Sequence, residues 1–197
     1  MRRTLGTVAT LALLSVGVIS CGTQGITNTQ LGFEITEGLL LLSAADTTEG
    51  TVVLASNSGN CPAFQAGAGF TQILSSDFLT FYLASLSPEL GLLPLTAGSY
   101  TINMPSANGP QDAGLYATSV EYETDVACDF TATGGNSGTI TVQPFPLDAG
   151  AASVATYSVV FGNDQFTGSY PLVTCVIPAT APPILDGGVA CLAPGFP

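Results

Sequence analysis

Four carboxylates crowd one short stretch of the chain: Glu121, Glu123, Asp125 and Asp129. Two kinds of chemistry use such a cluster. A pair of carboxyl groups can hydrolyse a glycosidic bond, one as acid and the other as base or nucleophile. Several carboxylate oxygens together can hold Ca²⁺, a hard cation. Neither pattern is completed here. Sugar clefts usually carry Trp, and this chain has none. The spacing fits no calcium-binding loop. The plainer reading is that these groups keep a sheet surface solvated. The expectation is therefore no catalytic residue, no metal site and no cofactor.

The other reactive side chains are cysteines: Cys21, Cys61, Cys128, Cys175 and Cys191. In an exported chain the last four are expected to form two disulfides. Three connectivities are open. The favoured one joins Cys61 to Cys128 and Cys175 to Cys191, the second bridge clipping a proline-rich tail to the last strand. A four-cysteine zinc site is the rival, and it lacks any C-x-x-C spacing.

What is missing narrows function further. The chain has 197 residues, two Lys or Arg and no His. The two cations are Arg2 and Arg3, so all fourteen Asp and Glu residues lie in a stretch without a cationic side chain. Ser-His-Asp and Cys-His catalysis need His, and Schiff-base chemistry needs Lys. Nucleic-acid binding needs Lys or Arg to displace counterions, so no nucleic-acid partner is expected. A polybasic hold on anionic lipid is excluded for the same reason. The tripeptides Asp-Thr-Gly and Asp-Ser-Gly of aspartic-protease sites do not occur, nor does a P-loop or a dinucleotide fingerprint.

The elements that must position these residues read as strands. The clearest run is Ser137 to Cys175. Ile140 and Val142 alternate with Thr139, Thr141 and Gln143; Ala155, Tyr157, Val159 and Phe161 share a face; so do Phe166, Tyr170 and Leu172. That period of two predicts a three-strand meander with one buried face. Upstream, Phe33–Ile35, Leu39–Leu42, Thr51–Ser56, Phe70–Leu74, Phe78–Leu86, Ser99–Met104 and Leu115–Thr124 read as strands. In the last of these, Tyr116, Val120 and Tyr122 are expected inward, with Glu121 and Glu123 outward. Pro171 predicts an edge position for the final strand, and Gly168 a bulge or a close backbone approach. With about nine strands and no long helix, the expected fold is an all-β antiparallel sandwich ending in the meander. It occupies residues 31–175, and a Pro-rich tail follows over 176–197.

The chain opens with a targeting segment over residues 1–20. Arg2 and Arg3 precede an apolar stretch from Thr4 to Val18 that is too short for a membrane span. The arginine pair lacks the surroundings of a twin-arginine signal. Val18-Ile19-Ser20-Cys21 resembles the lipobox of bacterial lipoproteins, which implies lipidation at Cys21. Gly22 after the cysteine implies export to an outer membrane. Several acyl chains would then hold the protein stably. Residues 21–30 read as a tether.

Three further stretches are Gly98-Ser99-Tyr100-Thr101-Ile102, Ser137-Gly138-Thr139-Ile140-Thr141-Val142, and Thr167-Gly168-Ser169-Tyr170 with its closing Cys175. Together they resemble a loose group of β-rich envelope lipoproteins from high-GC Gram-negative bacteria. The likeness covers Ser99 to Cys175, and this chain departs from it by adding the tail to Cys191. It implies fold and localisation and no catalytic residue. The expectation is a non-enzymatic binding or structural module, lipid-anchored at the outer membrane or cell surface, with the membrane and a protein or glycan ligand as partners. The alternative is a carboxylate-dependent hydrolase acting on glycan.

Overall fold

The computed structural model describes residues 32–73, 75–102, 113–125 and 129–179. The expected signal segment over 1–20, the expected tether over 21–30 with Cys21, Met104, Cys128, and residues 180–197 with Cys191 lie outside these. The described elements in chain order are β1 (Glu37–Ser43), β2 (Glu49–Ala55), α1 (Asn60–Gln65), a 3₁₀ turn (Phe70–Gln72), β3 (Asp77–Ser87), β4 (Gly91–Leu93), β5 (Gly98–Ile102), β6 (Gly114–Thr124), β7 (Phe130–Gly134), β8 (Ser137–Gln143), β9 (Ala152–Phe161) and β10 (Asp164–Ile177).

The meander β8–β9–β10 forms as its alternation requires. Ile140, Val142, Ala155, Tyr157, Val159, Phe166, Tyr170 and Leu172 are buried on one side. Thr156 and Ser169 meet on the other, 3.2 Å apart, and the Gln165 amide donates to the Ser158 hydroxyl at 2.8 Å. The apolar face points inward and the polar face outward, the reverse of a membrane-spanning barrel.

The sheet is a barrel, which corrects the expected sandwich. Eight strands run β3-β2-β1-β10-β9-β8-β5-β6, and β6 then pairs antiparallel with β3, from Asp77↔Glu123 to Leu86↔Gly114. β4 and β7 are short additions beside β3 and β6. Strand spacing cannot separate a sandwich from a barrel, because the closing pair joins segments far apart in sequence. Two pairings, β1–β10 and β5–β6, are parallel, so the barrel is mixed rather than wholly antiparallel.

The interior is filled by side chains: Leu40, Leu42, Val52, Leu54, Leu79, Phe81, Leu83, Tyr100, Ile102, Ile140, Tyr157 and their neighbours form one cluster. A second cluster lies outside the wall, where α1 and the 3₁₀ turn cover β1, β2, β3 and β10. Phe64, Ile73 and Phe78 join Leu39, Val53 and Cys175 there. This explains the continuous Leu39–Leu42 run, because Leu40 and Leu42 enter the barrel while Leu39 and Leu41 face the helix.

Several local expectations are corrected. Where Phe70–Leu74 is expected as a strand, Phe70–Gln72 forms a 3₁₀ turn, and α1 lies between β2 and that turn. The start of α1 is bound by a distant carboxylate: Glu37 of β1 accepts the Gly59 and Asn60 N–H groups at 3.1 and 3.0 Å. A carboxylate at a helix start satisfies open N–H groups. β10 is central, between β1 and β9; Pro171 is tolerated because pairing with β1 starts only at Val173. β10 also runs to Ile177, so Val176 and Ile177 belong to the barrel and not to the tail. Gly168 marks close approach without a bulge: it sits opposite Tyr157, and a Cβ there would lie 2.5 Å from the tyrosine oxygen.

The favoured disulfide pairing is wrong as well. Cys61 in α1 bonds to Cys175 in β10, across 114 residues. Cys128 and Cys191 lie outside the described residues. β10 reaches α1 because its outer face, which carries Cys175, is the one the helix covers. Non-reducing peptide mapping is expected to link Cys61 with Cys175 and, by elimination, Cys128 with Cys191. Replacing Cys61 and Cys175 by Ala is expected to cost about 2–5 kcal/mol in urea unfolding, since a loop of this length is closed in the unfolded chain. Recovery of a Cys61–Cys128 peptide would contradict the docking of α1 on β10.

Candidate functional site

The barrel has two ends of different character. The chain enters at the near end, where Glu37, Ala55, Asp77, Phe161 and Asp164 bound their strands. Ile35 is buried there and Phe33 packs beside it, so the incoming segment stoppers that mouth. At the far end lie the β1–β2 loop, the β3–β4 and β4–β5 connections, and the β8–β9 loop. Leu95 and Phe145 pack into the core from those loops.

The carboxylates predicted as a site belong to the near end. Asp77 and Glu123 are direct cross-strand partners, and Glu121 opposes Leu79. They share the side of the sheet that carries Ala117 and Phe81 into the barrel. The expected orientation of β6 is therefore inverted. Ala117 is in the interior, while Tyr122 lies on the outer wall, stacked on Phe70 with centroids 5.2 Å apart and its hydroxyl 2.9 Å from that of Tyr82. The aromatic periodicity signalled burial correctly. It did not reveal that the outer wall is also covered.

Asp125 and Asp129 close a turn on themselves. The Asp125 N–H donates to the Asp129 carbonyl at 3.0 Å, and the Asp129 N–H donates to Asp125 Oδ1 at 3.0 Å. With Glu123 and Thr131 they line a shallow pocket of about 230 Å³, which Glu121 and Asp77 do not line. Among the described residues no group of three Cys, Asp or Glu side chains is placed to hold a metal ion. The structure thus lines one pocket with Glu123, Asp125 and Asp129, and sets Glu121 and Asp77 beside Glu123 on the same face of the sheet but outside that pocket.

The far end carries a feature that the sequence reading missed. Leu90, Leu92, Leu147, Val154 and Val173 are exposed, from 43 % for Leu92 and Val154 to 75 % for Leu90. Leu90 and Leu147 stand in the far-end connections, Leu92 in β4, and Val154 and Val173 on the outer wall in β9 and β10. Asp46, Glu89 and Asp148 are exposed among the same loops. The loops are held firmly. The Tyr100 hydroxyl, buried with its ring, donates to the Thr96 carbonyl at 2.5 Å, and the Leu95 N–H donates to the Thr47 carbonyl at 2.9 Å. Asp46 accepts from the Thr48 hydroxyl and N–H at 2.6 and 2.8 Å, which hold its carboxyl below its usual range. In the β8–β9 loop the Gly150 N–H donates to the Thr174 carbonyl at 2.8 Å. A signal was available in the sequence: leucines inside Pro- and Gly-rich connections, where polar residues are the norm.

Comparison of the chain with family models, curated proteins and solved structures finds no match.

The near-end carboxyls set a pH dependence. Burial pushes the Glu121 carboxyl up, and the Asp77 and Glu123 carboxylates add to the rise. Burial also raises Asp77, against the Ser56 hydroxyl and with Glu123. A carboxyl raised by folding takes a proton more readily in the fold than in the unfolded chain. Its contribution to stability is fully present below the unfolded value, about 4, and is lost as pH rises through the folded one. The melting temperature is therefore expected to rise on acidification from pH about 7 to about 5. Glu121→Gln should raise it at neutral pH and flatten that dependence. A variant whose profile parallels the parent's would contradict this assignment.

Proposed function

We propose that this protein is a lipid-anchored, non-enzymatic module of the cell envelope, held at the outer membrane or cell surface through Cys21, that binds a protein partner through the far end of the barrel. The observation that carries this reading is the exposure of large aliphatic side chains at that end, Leu90 and Leu147 in its connections and Leu92 in β4. Large aliphatic side chains exposed on firmly held loops and a short added strand mark an interaction surface. Its side chains are aliphatic, which favours a protein surface over a glycan, whose rings stack on aromatics. Asp46, Glu89 and Asp148 would meet basic residues at the rim of the partner's surface. The chain enters the barrel at the opposite end, so an anchor at Cys21 leaves the far end pointing away from the lipid.

The rival reading, a glycan hydrolase, draws on the raised Glu121 carboxyl, since a general acid must hold its proton near neutral pH. Glu121 does not line the acidic pocket, so acid and cleft do not coincide. The test compares the full chain with a Leu90→Ser, Leu92→Ser, Leu147→Ser variant in cross-linking capture from envelope fractions. The parent is expected to retain a partner that the variant loses at unchanged melting temperature, and Cys21→Ser is expected to move the protein from the membrane to the soluble fraction. Identical captures from parent and variant would sink the binding surface. Membrane retention of Cys21→Ser without acyl mass on the parent would sink the anchor. Glycan cleavage abolished by Glu121→Gln would replace this reading with the rival.

A further inference from the structure

An apolar groove of about 300 Å³ runs along the outer wall of the barrel, beginning beside the β1–β2 connection where Ser43, Glu49 and Ile177 line it. Leu41, Phe64, Phe70, Tyr82 and Ile177 form its apolar lining, with Glu49 and Thr51 at one side. It lies where α1 and the 3₁₀ turn stop short of covering the strands. We infer that its occupant is the chain's own C-terminal segment, with Pro182-Pro183-Ile184-Leu185 lying against the aromatic wall.

Position is the first support. Ile177 ends β10 and lines the groove, so the chain leaves the barrel at the groove's rim. That exit is fixed beside α1 by the Cys61–Cys175 bond and by the Gln65 amide, which donates to the Val176 carbonyl at 3.0 Å. From Ile177 to Ile184 an extended chain reaches up to about 24 Å, enough to cross a groove that begins at its own root.

Chemistry is the second. Residues 180–197 hold Ile184, Leu185, Val189, Leu192 and Phe196 with one carboxylate, Asp186, and no cation. Left in water they would expose a long apolar stretch, while the groove exposes its complement. Pro182-Pro183 favours a preformed extended helix, the conformation that aromatic-lined grooves accept at low entropic cost. A second copy is a poor competitor, since each carries fourteen carboxylates and no cation after Arg3. A tethered segment also holds a high effective concentration over any free partner.

The test places the photoreactive residue p-benzoylphenylalanine at Thr51 in the full chain and maps its cross-links. The expected product is an intramolecular link to a peptide within 180–197. A product of twice the mass, or cross-links that all fall outside 180–197, overturns the inference. A second variant, Ile184→Asp with Leu185→Asp, is expected to take up an apolar fluorescent dye several-fold more than the parent at unchanged far-ultraviolet circular dichroism. Dye uptake equal to the parent's overturns it as well.

Discussion

The antiparallel ladder between β3 and β6 is the interaction on which the rest of the structure depends. It joins Asp77–Leu86 to Gly114–Glu123 and turns an open sheet into a closed wall. Without it, β3 and β6 would present unpaired N–H and C=O groups, and the interior cluster around Phe81, Tyr100 and Tyr157 would open to water. Closure also fixes the two ends. The Phe33–Ile35 segment stoppers one mouth, Leu95 and Phe145 fill the other, and the exposed leucines of the far-end loops are left facing outward.

A second constraint is charge. With no cation after Arg3, a carboxylate that leaves water can be matched only by N–H and O–H groups. Glu37 finds them at the start of α1, and the exposed Asp46 and Asp125 accept N–H groups of Thr48 and Asp129 as well. Asp77 and Glu121 find less. They face another carboxylate on a half-buried sheet surface and are displaced toward the protonated form. The same solution appears on the wall, where hydroxyl and amide pairs such as Gln165–Ser158 stand in place of ion pairs. Docking of α1 by Glu37 and by the Cys61–Cys175 bond then covers the outer faces of β1, β2 and β10.

Much of the local structure was legible in the sequence, because a period of two reports burial directly. The meander follows from it, while the Leu39–Leu42 strand is marked instead by an unbroken apolar run, which fits burial on both faces. What was not legible is non-local. No pattern within β3 or β6 states that they pair, so a sandwich and a barrel read alike. Tyr122 was placed on the wrong face because its burial comes from Phe70, a residue of a connection that itself read as a strand. Pro171 suggested an edge strand, yet β10 only meets β1 beyond it. Cysteine spacing favoured nearby partners, whereas Cys175 meets Cys61 through the docking of α1. Of the candidate sites, the acidic stretch is visible at once, and in the fold only Glu123, Asp125 and Asp129 of it line a common pocket. The far-end leucines carry no period, and only their place among Pro- and Gly-rich connections marks them.

Barrel closure is tested most directly by cross-strand nuclear Overhauser contacts in the isotopically labelled protein. Closure predicts contacts linking Leu79 with Glu121, Phe81 with Ser119 and Leu83 with Ala117, together with slow amide exchange along both strands. Absence of those contacts, with β6 amides exchanging as fast as those of an open edge, would contradict the closed barrel and every assignment of inside and outside drawn from it.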